Sequence, residues 1–175
     1  MIKLEPLAGH HNRKGFECGA AALNDWLRKT ALQHQGRGIS RTFVAVPLDN
    51  TVVRQYHGLG YADVRAGTIL GFYALASAVV LFDDLPLEFA KRYPRQIPVT
   101  RLGRLAVRLD MQGQGLGRLL LADAISRAKT AAQAVGSAGI FVDAKDQDSA
   151  GFYQSFGFSP CADQPHKLFL PIWRQ

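Results

Sequence analysis

The chain has 175 residues, with 47% hydrophobic, 10% aromatic and 20% charged side chains. That length corresponds to one domain and that composition to a globular protein, which excludes a disordered chain and a fibre. No apolar run reaches the about 20 residues that a membrane span requires, and no secretory signal opens the chain, so we expect a cytoplasmic protein with no membrane partner. Cys18 and Cys161 lack metal-ligand spacing, which predicts two free core thiols and no metal site.

The net charge of +7 is concentrated in one stretch of the chain. Residues 1–90 carry nine Lys and Arg against eight Asp and Glu, and residues 109–175 carry six of each. Residues 91–108 hold six positive charges and no acid. Such an excess attracts a polyanion, although an ordinary solvated surface is the alternative. A second basic group consists of Arg28, Lys29, Arg37 and Arg41.

The first third of the chain predicts two strands around one helix. Residues 2–6 read as a short strand. Apolar residues four apart predict a helix over 19–35, and β-branched and aromatic residues predict a strand over 41–46 that Pro47 ends. Residues 48–67 show no period, which indicates an inserted loop or an irregular hairpin.

The remainder of the chain alternates strands with helices. The run at 68–80 is continuously apolar and predicts a buried strand. Pro98 is expected at the edge of the strand that follows it. The other predicted elements are strands at 99–107, 140–143 and 168–170 and helices at 85–93, 116–135 and 149–156. This alternation favours a mixed α/β sheet with helices on its faces.

The most informative pattern is a strand, then three glycines at alternate positions, then a long helix. Gly113, Gly115 and Gly117 let successive backbone N–H groups converge on one anion, and the helix dipole adds positive charge there. The pattern predicts a pyrophosphate site that Arg118 would reinforce. It is not a Walker A motif, because no Gly-Lys-Ser/Thr follows, and its spacing differs from the dinucleotide fingerprint.

Two motifs resemble those of the GNAT acetyltransferases. Residues 107–117, Val-Arg-Leu-Asp-Met-Gln-Gly-Gln-Gly-Leu-Gly, are similar to that family's acetyl-coenzyme A loop, Gln/Arg-x-x-Gly-x-Gly/Ala, with Gln112, Gly115 and Gly117 at the pattern's positions. Residues 151–158, Gly-Phe-Tyr-Gln-Ser-Phe-Gly-Phe, resemble its closing Phe-Tyr-x-x-x-Gly-Phe. The resemblance implies one α/β domain over 1–175, with a mixed central sheet splayed between two strands and helices on both faces.

The same resemblance implies the reacting residues and the co-substrate, acetyl-CoA. The strand before the loop would hold the thioester by its main chain, with the backbone N–H of Leu105 or Val107 stabilising the oxyanion. Tyr153 would be the general acid, since a phenol stays protonated at neutral pH. The residues expected to bind acetyl-CoA are Leu105, Ala106, Val107, Gln112, Gly113, Gln114, Gly115, Leu116, Gly117, Arg118, Ser149, Phe152 and Tyr153.

Tyr153 has an alternative interpretation as a core aromatic residue. Phe152 and Phe156 share a helix face at i, i+4, and Tyr153 turns away from that face. The spacing therefore favours a separate, catalytic role for Tyr153.

A narrower resemblance, to the tRNA-acetylating toxins of toxin–antitoxin modules, covers most of the chain except residues 48–67. It is carried by residues 16–19, 23–27, 38–44, 71–76 and 104–107. It implies acetyl transfer to the α-amino group of an aminoacyl-tRNA, which stops translation. It also implies a ribbon-helix-helix antitoxin as partner and a homodimer.

The absence of a visible general base favours the same substrate. The predicted strand 68–80 contains no acid. Freeing a lysine amine of its proton at pH 7 costs roughly 4–5 kcal/mol, whereas an α-amino group costs about 1 kcal/mol. An α-amine therefore suits such a site better, although a water molecule is an alternative base.

The basic residues are expected to hold the phosphates of the tRNA, although an acidic antitoxin tail is an alternative ligand for them. The expected tRNA-binding residues are Arg28, Lys29, Arg37, Arg41, Arg92, Arg95, Arg101 and Arg104. Two other functions stay open: an acetyltransferase of a small amine or a protein N-terminus, and a non-catalytic nucleic-acid-binding module.

Overall fold

Seven β-strands and six α-helices make up the computed structural model of the chain, which describes residues 1–173. The predicted domain's last two residues lie outside that part. The strands are β1 (Ile2–Pro6), β2 (Arg41–Pro47), β3 (Gly71–Leu81), β4 (Gln96–Val107), β5 (Gly139–Asp143), β6 (Ser159–Cys161) and β7 (Gln164–Pro171). The helices are α1 (Ala21–Lys29), α2 (Ala31–Gly36), α3 (Asn50–Gly58), α4 (Leu87–Ala90), α5 (Leu116–Ala134) and α6 (Gln147–Gln154).

The strands form one mixed sheet in the order β1-β2-β3-β4-β5-β7-β6. β1 with β2, β5 with β7 and β6 with β7 are antiparallel, whereas β4 and β5 are parallel. Thr100–Leu102 of β4 pair with Ile140–Val142 of β5. β4 continues to Val107, beyond the last residue that pairs with β5. The mixed α/β architecture predicted from the sequence is confirmed.

The chain divides into two compact units that share β3, β4 and α5. Met1–Ala74 and Arg104–Asp123 form the first unit, and Leu75–Gly103 with the chain after Asp123 forms the second. None of the helices in residues 1–173 has the length and apolar content that a membrane crossing requires.

The core of the first unit is built on aromatic side chains from β3 and α1. The ring of Phe72 lies parallel to that of Trp26, with centroids 6.1 Å apart, and edge-on to Phe16 at 5.4 Å. Leu27 and Ala31 are fully buried beside them. β2 is buried on both faces from Thr42 to Pro47, and its sequence therefore does not alternate between polar and apolar residues.

The core of the second unit is centred on Phe169 of β7. The rings of Phe89 and Tyr93 meet it edge-on, with centroids 5.7 and 6.3 Å away. Ile97 and Phe141 are buried in the same cluster. This core fixes β4, β5 and β7 side by side within the unit.

The predicted single helix at 19–35 is wrong, because the structure divides it at Thr30. Thr30 has φ −122° and ends α1, its backbone N–H donating to Trp26 O at 2.9 Å. A β-branched residue has a weak helix preference, which makes it a tolerable place for the break. β2 extends one residue further than predicted and includes Pro47.

The prediction of an inserted loop or irregular hairpin at 48–67 is wrong for Asn50–Gly58, which form α3. The Asp49 side chain accepts a hydrogen bond from the backbone N–H of Val52 at 2.9 Å and so caps the helix. Val52 and Val53 are the buried residues of this helix. The aspartate followed by an apolar pair was the sequence signal for it.

Four further elements depart from the predictions. β3 begins at Gly71 and is fully buried over its first four residues only, after which exposure alternates. The helix expected at 85–93 is the single turn α4. β4 starts at Gln96 and contains Pro98, which is exposed, so that the missing N–H costs no buried bond. The short strand β6 was not predicted.

Candidate functional site

The glycine loop, residues 112–117, connects β4 to the N-terminus of α5 through a short 3₁₀ turn at Leu109–Met111. Gly113 and Gly115 have φ of +78° and +88°, a region that other residues rarely adopt. A Cβ atom on either would meet no atom within 4 Å, so the main chain faces open space. This accessible main chain, ending in a 19-residue helix, fits a diphosphate.

The end of β4 lies against the start of β3 and the residue that precedes it. The backbone N–H of Arg108 donates to Leu70 O at 2.9 Å. A Cβ atom on Gly71 would lie 3.0 Å from Ala106 O, so this position requires glycine for the main chains to approach. Ala106 is buried, and Leu105 and Val107, the two candidate oxyanion donors, are half-buried.

One flank of the glycine loop is fixed to the segment before α1. The Gln112 side-chain amide donates to Cys18 O at 2.9 Å and to Val107 O at 3.1 Å. The backbone N–H of Leu109 donates to Glu17 O at 2.8 Å. The Gln112 side chain therefore bonds the protein itself, which leaves the loop's main chain as the part that faces a ligand.

Arg108 forms the base of the other flank. Its guanidinium pairs with Asp63 at 2.8 Å and Asp110 at 2.7 Å, and its side chain is 12% exposed. Burial alone would lower the Arg108 pKa, but the hydrogen bonds to the two aspartates outweigh it and raise the pKa. The bond from Arg108 lowers the pKa of Asp63. One of the six positive charges of residues 91–108 is therefore neutralised inside the fold.

Tyr61 belongs to the segment that the sequence predicted as a loop, and its place beside the glycine loop was missed. Its hydroxyl donates to Asp110 O and accepts from the Gln114 side-chain amide, both at 3.1 Å. These partners are distant in sequence, and no local pattern announces the contact. The aspartate at 49 predicts the preceding helix only.

In the second unit, α6 carries Tyr153. The helix is capped by Asp146, whose carboxylate accepts from the backbone N–H of Ser149 at 2.8 Å, and this bond lowers the Asp146 pKa. Tyr153 is 8% exposed, and burial raises its pKa to about 12. Its ring contacts Phe152 and Phe158, with centroids 5.3 and 5.6 Å away.

The aromatic residues in and after α6 differ from the expectation in how deeply they are buried. Phe152 and Phe156 do contact each other at i, i+4, with centroids 5.6 Å apart. Both are half-buried, however, whereas Tyr153 is the buried member of the group. Phe158 lies on Tyr153 rather than on the face of the two phenylalanines, so Tyr153 is packed as well as separate.

The eight basic residues predicted to bind tRNA have different environments. In the first unit, Arg104 stacks over Trp26 with its Cζ 4.2 Å from the ring centroid, and Arg28 pairs with Asp25 at 2.9 Å. In the second unit, Arg101 pairs with Asp143. Arg28 and Arg101 are exposed in spite of these pairs, and the other exposed members of the set are Lys29, Arg37, Arg41, Arg92 and Arg95.

Within the described chain, one group of three side chains has a spacing that a metal ion could use, and hydrogen bonding explains it. The ligand atoms of Glu5, His10 and His11 lie within 4.8 Å of one another. His11 accepts from the Ala8 N–H at Nδ1 and bonds Glu5 through Nε2 at 2.8 Å, so both ring nitrogens are used. Glu5 and His11 thus form a hydrogen-bonded pair, and His10 contacts His11 with ring centroids 4.1 Å apart.

Both cysteines are buried free thiols, as the sequence predicts. Burial raises the pKa of Cys161 to about 11. Such a thiol is neutral at physiological pH and therefore a poor nucleophile.

Comparison with known proteins agrees with this geometry. Residues 62–160 match the family described as the acetyltransferase (GNAT) domain. A tRNA-acetylating toxin of Mycobacterium tuberculosis is 37% identical over 155 residues, which cover 89% of this chain and 82% of that protein.

Solved structures give the same result. The structure of AtaT complexed with acetyl-methionyl-tRNAfMet has a TM-score of 0.82 at 28% identity, covering 98% of this chain and 95% of that one. A Tyr-to-Phe mutant of the toxin AtaT, bound to acetyl-CoA and the C-terminus of the antitoxin AtaR, has a TM-score of 0.75 at 27% identity, covering 98% and 93%. The chain belongs to the GNAT acetyltransferases and is an acetyl-CoA-dependent enzyme of that family.

Proposed function

We propose that this protein is the toxin of a toxin–antitoxin module that transfers the acetyl group of acetyl-CoA to the α-amino group of an aminoacyl-tRNA and so blocks translation. The observation that carries the proposal is the 37% identity, over 89% of this chain, to a tRNA-acetylating toxin. The glycine loop, built to take a diphosphate, supports the use of acetyl-CoA.

The main chain of the first unit binds the donor in this proposal. Acetyl-CoA supplies an activated acetyl thioester. The backbone of Gly113, Gly115 and Leu116 and the side chain of Arg118 hold its diphosphate, and the backbone of 105–107 holds the pantetheine arm and the acetyl carbonyl. The N–H of Leu105 or Val107 donates to the carbonyl oxygen as negative charge develops there, an effect worth about 3 kcal/mol in other acyl transfers.

Tyr153 protonates the departing sulphur. The amine nitrogen forms a bond to the carbonyl carbon, the carbon–sulphur bond breaks, and the phenol proton passes to the thiolate. The proton released by the amine passes to solvent, from which Tyr153 regains its own. With a pKa of about 12, Tyr153 is a weak acid for a thiolate, but the desolvation that raises it raises the thiolate's pKa as well.

Ser149 and Phe152, on the same helix as Tyr153, complete the expected contacts to the donor. Ser149 lies in the first turn of α6, beside the capped N-terminus. We expect it to bond the polar part of the pantetheine arm, while Phe152 packs against an apolar part.

The acceptor's phosphates bind the basic residues, most of which are exposed. Arg37, Arg41 and Arg95 are the simplest candidates of the predicted set. The partners in this proposal are an aminoacyl-tRNA, a ribbon-helix-helix antitoxin and a second copy of the chain in a homodimer. All of them are cytoplasmic, which is where we expect the protein to act.

The decisive experiment supplies several acceptors together with labelled acetyl-CoA. Charged tRNA, a peptide with a free N-terminus and a polyamine are incubated separately, and the labelled product is identified. We expect label on the α-amino group of the aminoacyl-tRNA. Label on the peptide or polyamine alone would end the toxin proposal, and no turnover with any acceptor would favour a binding module.

Growth on expression tests the same proposal in cells. We expect growth arrest from the native protein and none from Tyr153→Phe, which removes only the hydroxyl. Tyr93→Phe is the matched control, because Tyr93 is a partly buried tyrosine that packs on Phe169 instead. Arrest that persists with Tyr153→Phe would remove Tyr153 from the mechanism.

A further inference from the structure

A segment outside both recognised motifs lies against the glycine loop. Residues 59–66, here called the Tyr61 segment, follow α3 directly and contain no helix or strand. The Tyr61 hydroxyl bonds both the Gln114 side chain and Asp110 O at 3.1 Å. Asp63 accepts from Arg108 at 2.8 Å. The segment therefore contacts the loop itself and the turn that leads into it.

The two glutamines of the glycine loop are held by opposite neighbours. Gln112 bonds Cys18 O and Val107 O, which belong to the segment before α1 and to β4. Gln114 bonds Tyr61. Because the glutamines alternate with Gly113 and Gly115, their side chains hold the loop in place on two sides. The main chain of the glycines stays accessible to a ligand.

Holding the loop by these hydrogen bonds matters because glycine is the most flexible residue. Ordering one residue costs about 1–2 kcal/mol in conformational entropy, and most for glycine. If the loop becomes ordered only when the diphosphate binds, the entropy lost in ordering it reduces the binding free energy. If the loop is already ordered in the free protein, that loss has occurred during folding, and the ligand binds more tightly.

Tyr61 is a cleaner reporter of this effect than Asp63. Asp63 and Asp110 are both acidic residues near a site for an anion, and Arg108 pairs with each of them. Removing the Asp63 charge would lose a contact and reduce repulsion at the same time. Tyr61→Phe keeps the ring and removes no carboxylate, so that it takes away only the two hydrogen bonds of the hydroxyl, to Gln114 and to Asp110 O.

We propose that Tyr61 is a positioning residue that, through Gln114, holds the glycine loop in the conformation that binds the diphosphate of coenzyme A. This inference needs the donor to bind at the loop but is independent of the acceptor. Tyr61 touches neither the thioester nor the amine in this proposal. Its effect therefore falls on donor affinity rather than on the chemical step.

The test measures binding of two ligands by titration calorimetry with the full chain. One ligand is coenzyme A, and the other is 3′-phosphoadenosine 5′-diphosphate, which has the diphosphate but not the pantetheine arm. Tyr61→Phe should raise the Kd of both by the same factor, about three- to tenfold. Amide exchange of residues 112–117 in the free protein should become faster.

The matched control is Tyr56→Phe. Tyr56 packs edge-on against Tyr61 with centroids 5.9 Å apart, but no bond joins its hydroxyl to the glycine loop in residues 1–173. It should leave the Kd and the exchange unchanged. Gln114→Ala removes the same contact from the other side, so it and Tyr61→Phe should be non-additive in a double-mutant cycle.

Three results would overturn the inference. The first is an unchanged Kd for coenzyme A in Tyr61→Phe, and the second is an equal loss in Tyr56→Phe. The third is additivity between Tyr61→Phe and Gln114→Ala, which would mean that the two act separately. None of these results depends on which amine is acetylated, so the proposed function can fail while this inference stands.

Discussion

The Tyr153 hydroxyl is expected to keep its proton far above neutral pH. Burial raises its pKa from 10.0 to about 12, so the folded protein retains a proton that the unfolded chain loses near pH 10. The free energy of unfolding is unaffected by this group below pH 10. It falls by about 2–3 kcal/mol as the pH rises from 10 through 12. A titration of tyrosine absorbance, compared with Tyr153→Phe, measures this directly.

The same shift restricts the pH profile of the reaction. Since Tyr153 stays protonated, kcat/KM should rise with deprotonation of the acceptor amine and show no descending limb from Tyr153 below pH 10. A tyrosine that titrates near its ordinary pKa and is absent from Tyr153→Phe would contradict this expectation.

Arg104 is expected to act in stability as well as in tRNA binding. Its guanidinium lies 4.2 Å from the centroid of Trp26, which is itself 8% exposed and stacked on Phe72. A cation–π contact of this kind contributes about 0.5–2 kcal/mol. Arg104→Ala should therefore lower the free energy of unfolding, measured by urea denaturation, and also weaken the binding of tRNA.

Arg95→Ala is the control for Arg104, since the exposed side chain of Arg95 should contribute to tRNA binding alone. Equal unfolding free energies for the two variants would show that the stacking on Trp26 adds no stability.

At the scale of elements, the cap of α6 is expected to govern the helix that carries Tyr153. Asp146→Ala removes the acceptor for the Ser149 N–H, so Tm should fall by a few degrees and kcat should fall with it. Asp146→Asn retains an acceptor oxygen and should restore most of both.

The pH dependence of this cap follows from the lowered pKa of Asp146. The carboxylate stabilises the fold above the ordinary aspartate pKa, and that contribution is lost as pH falls through the lower, folded value. The difference in Tm between the native protein and Asp146→Ala should therefore narrow in acid, to the part that a neutral acceptor oxygen contributes. A constant difference down to the acid transition would assign the effect to something other than the charged cap.

Sequence predicted the elements whose signals are local. The strand at 2–6, the helix from Leu116 and the glycines at 113 and 115 each follow from a few adjacent residues, and the structure has them close to the predicted bounds. The break at Thr30 was missed because the helical spacing of Leu23, Leu27 and Ala31 continues across it. Tyr61 was missed because its partners Gln114 and Asp110 are remote in sequence.

At the scale of the whole molecule, net charge and available charge differ. The chain carries +7, with six positive charges in residues 91–108. Two of those six, Arg101 and Arg108, are engaged with aspartates in the fold. The positive charge that a polyanion meets in this stretch is therefore smaller than the composition indicates.

Salt dependence is expected to separate these two kinds of arginine. Each phosphate contact adds about 0.7–0.9 to the slope of log Kd against log salt concentration. Arg95→Gln should reduce the slope for aminoacyl-tRNA by about that amount, whereas Arg101→Gln should reduce it less, because Asp143 already screens that charge. Coenzyme A binding, at the glycine loop, should have the same slope in both variants. An unchanged tRNA slope in Arg95→Gln would assign this part of the basic stretch to another anion, of which an acidic antitoxin segment is the first to test by the same titration.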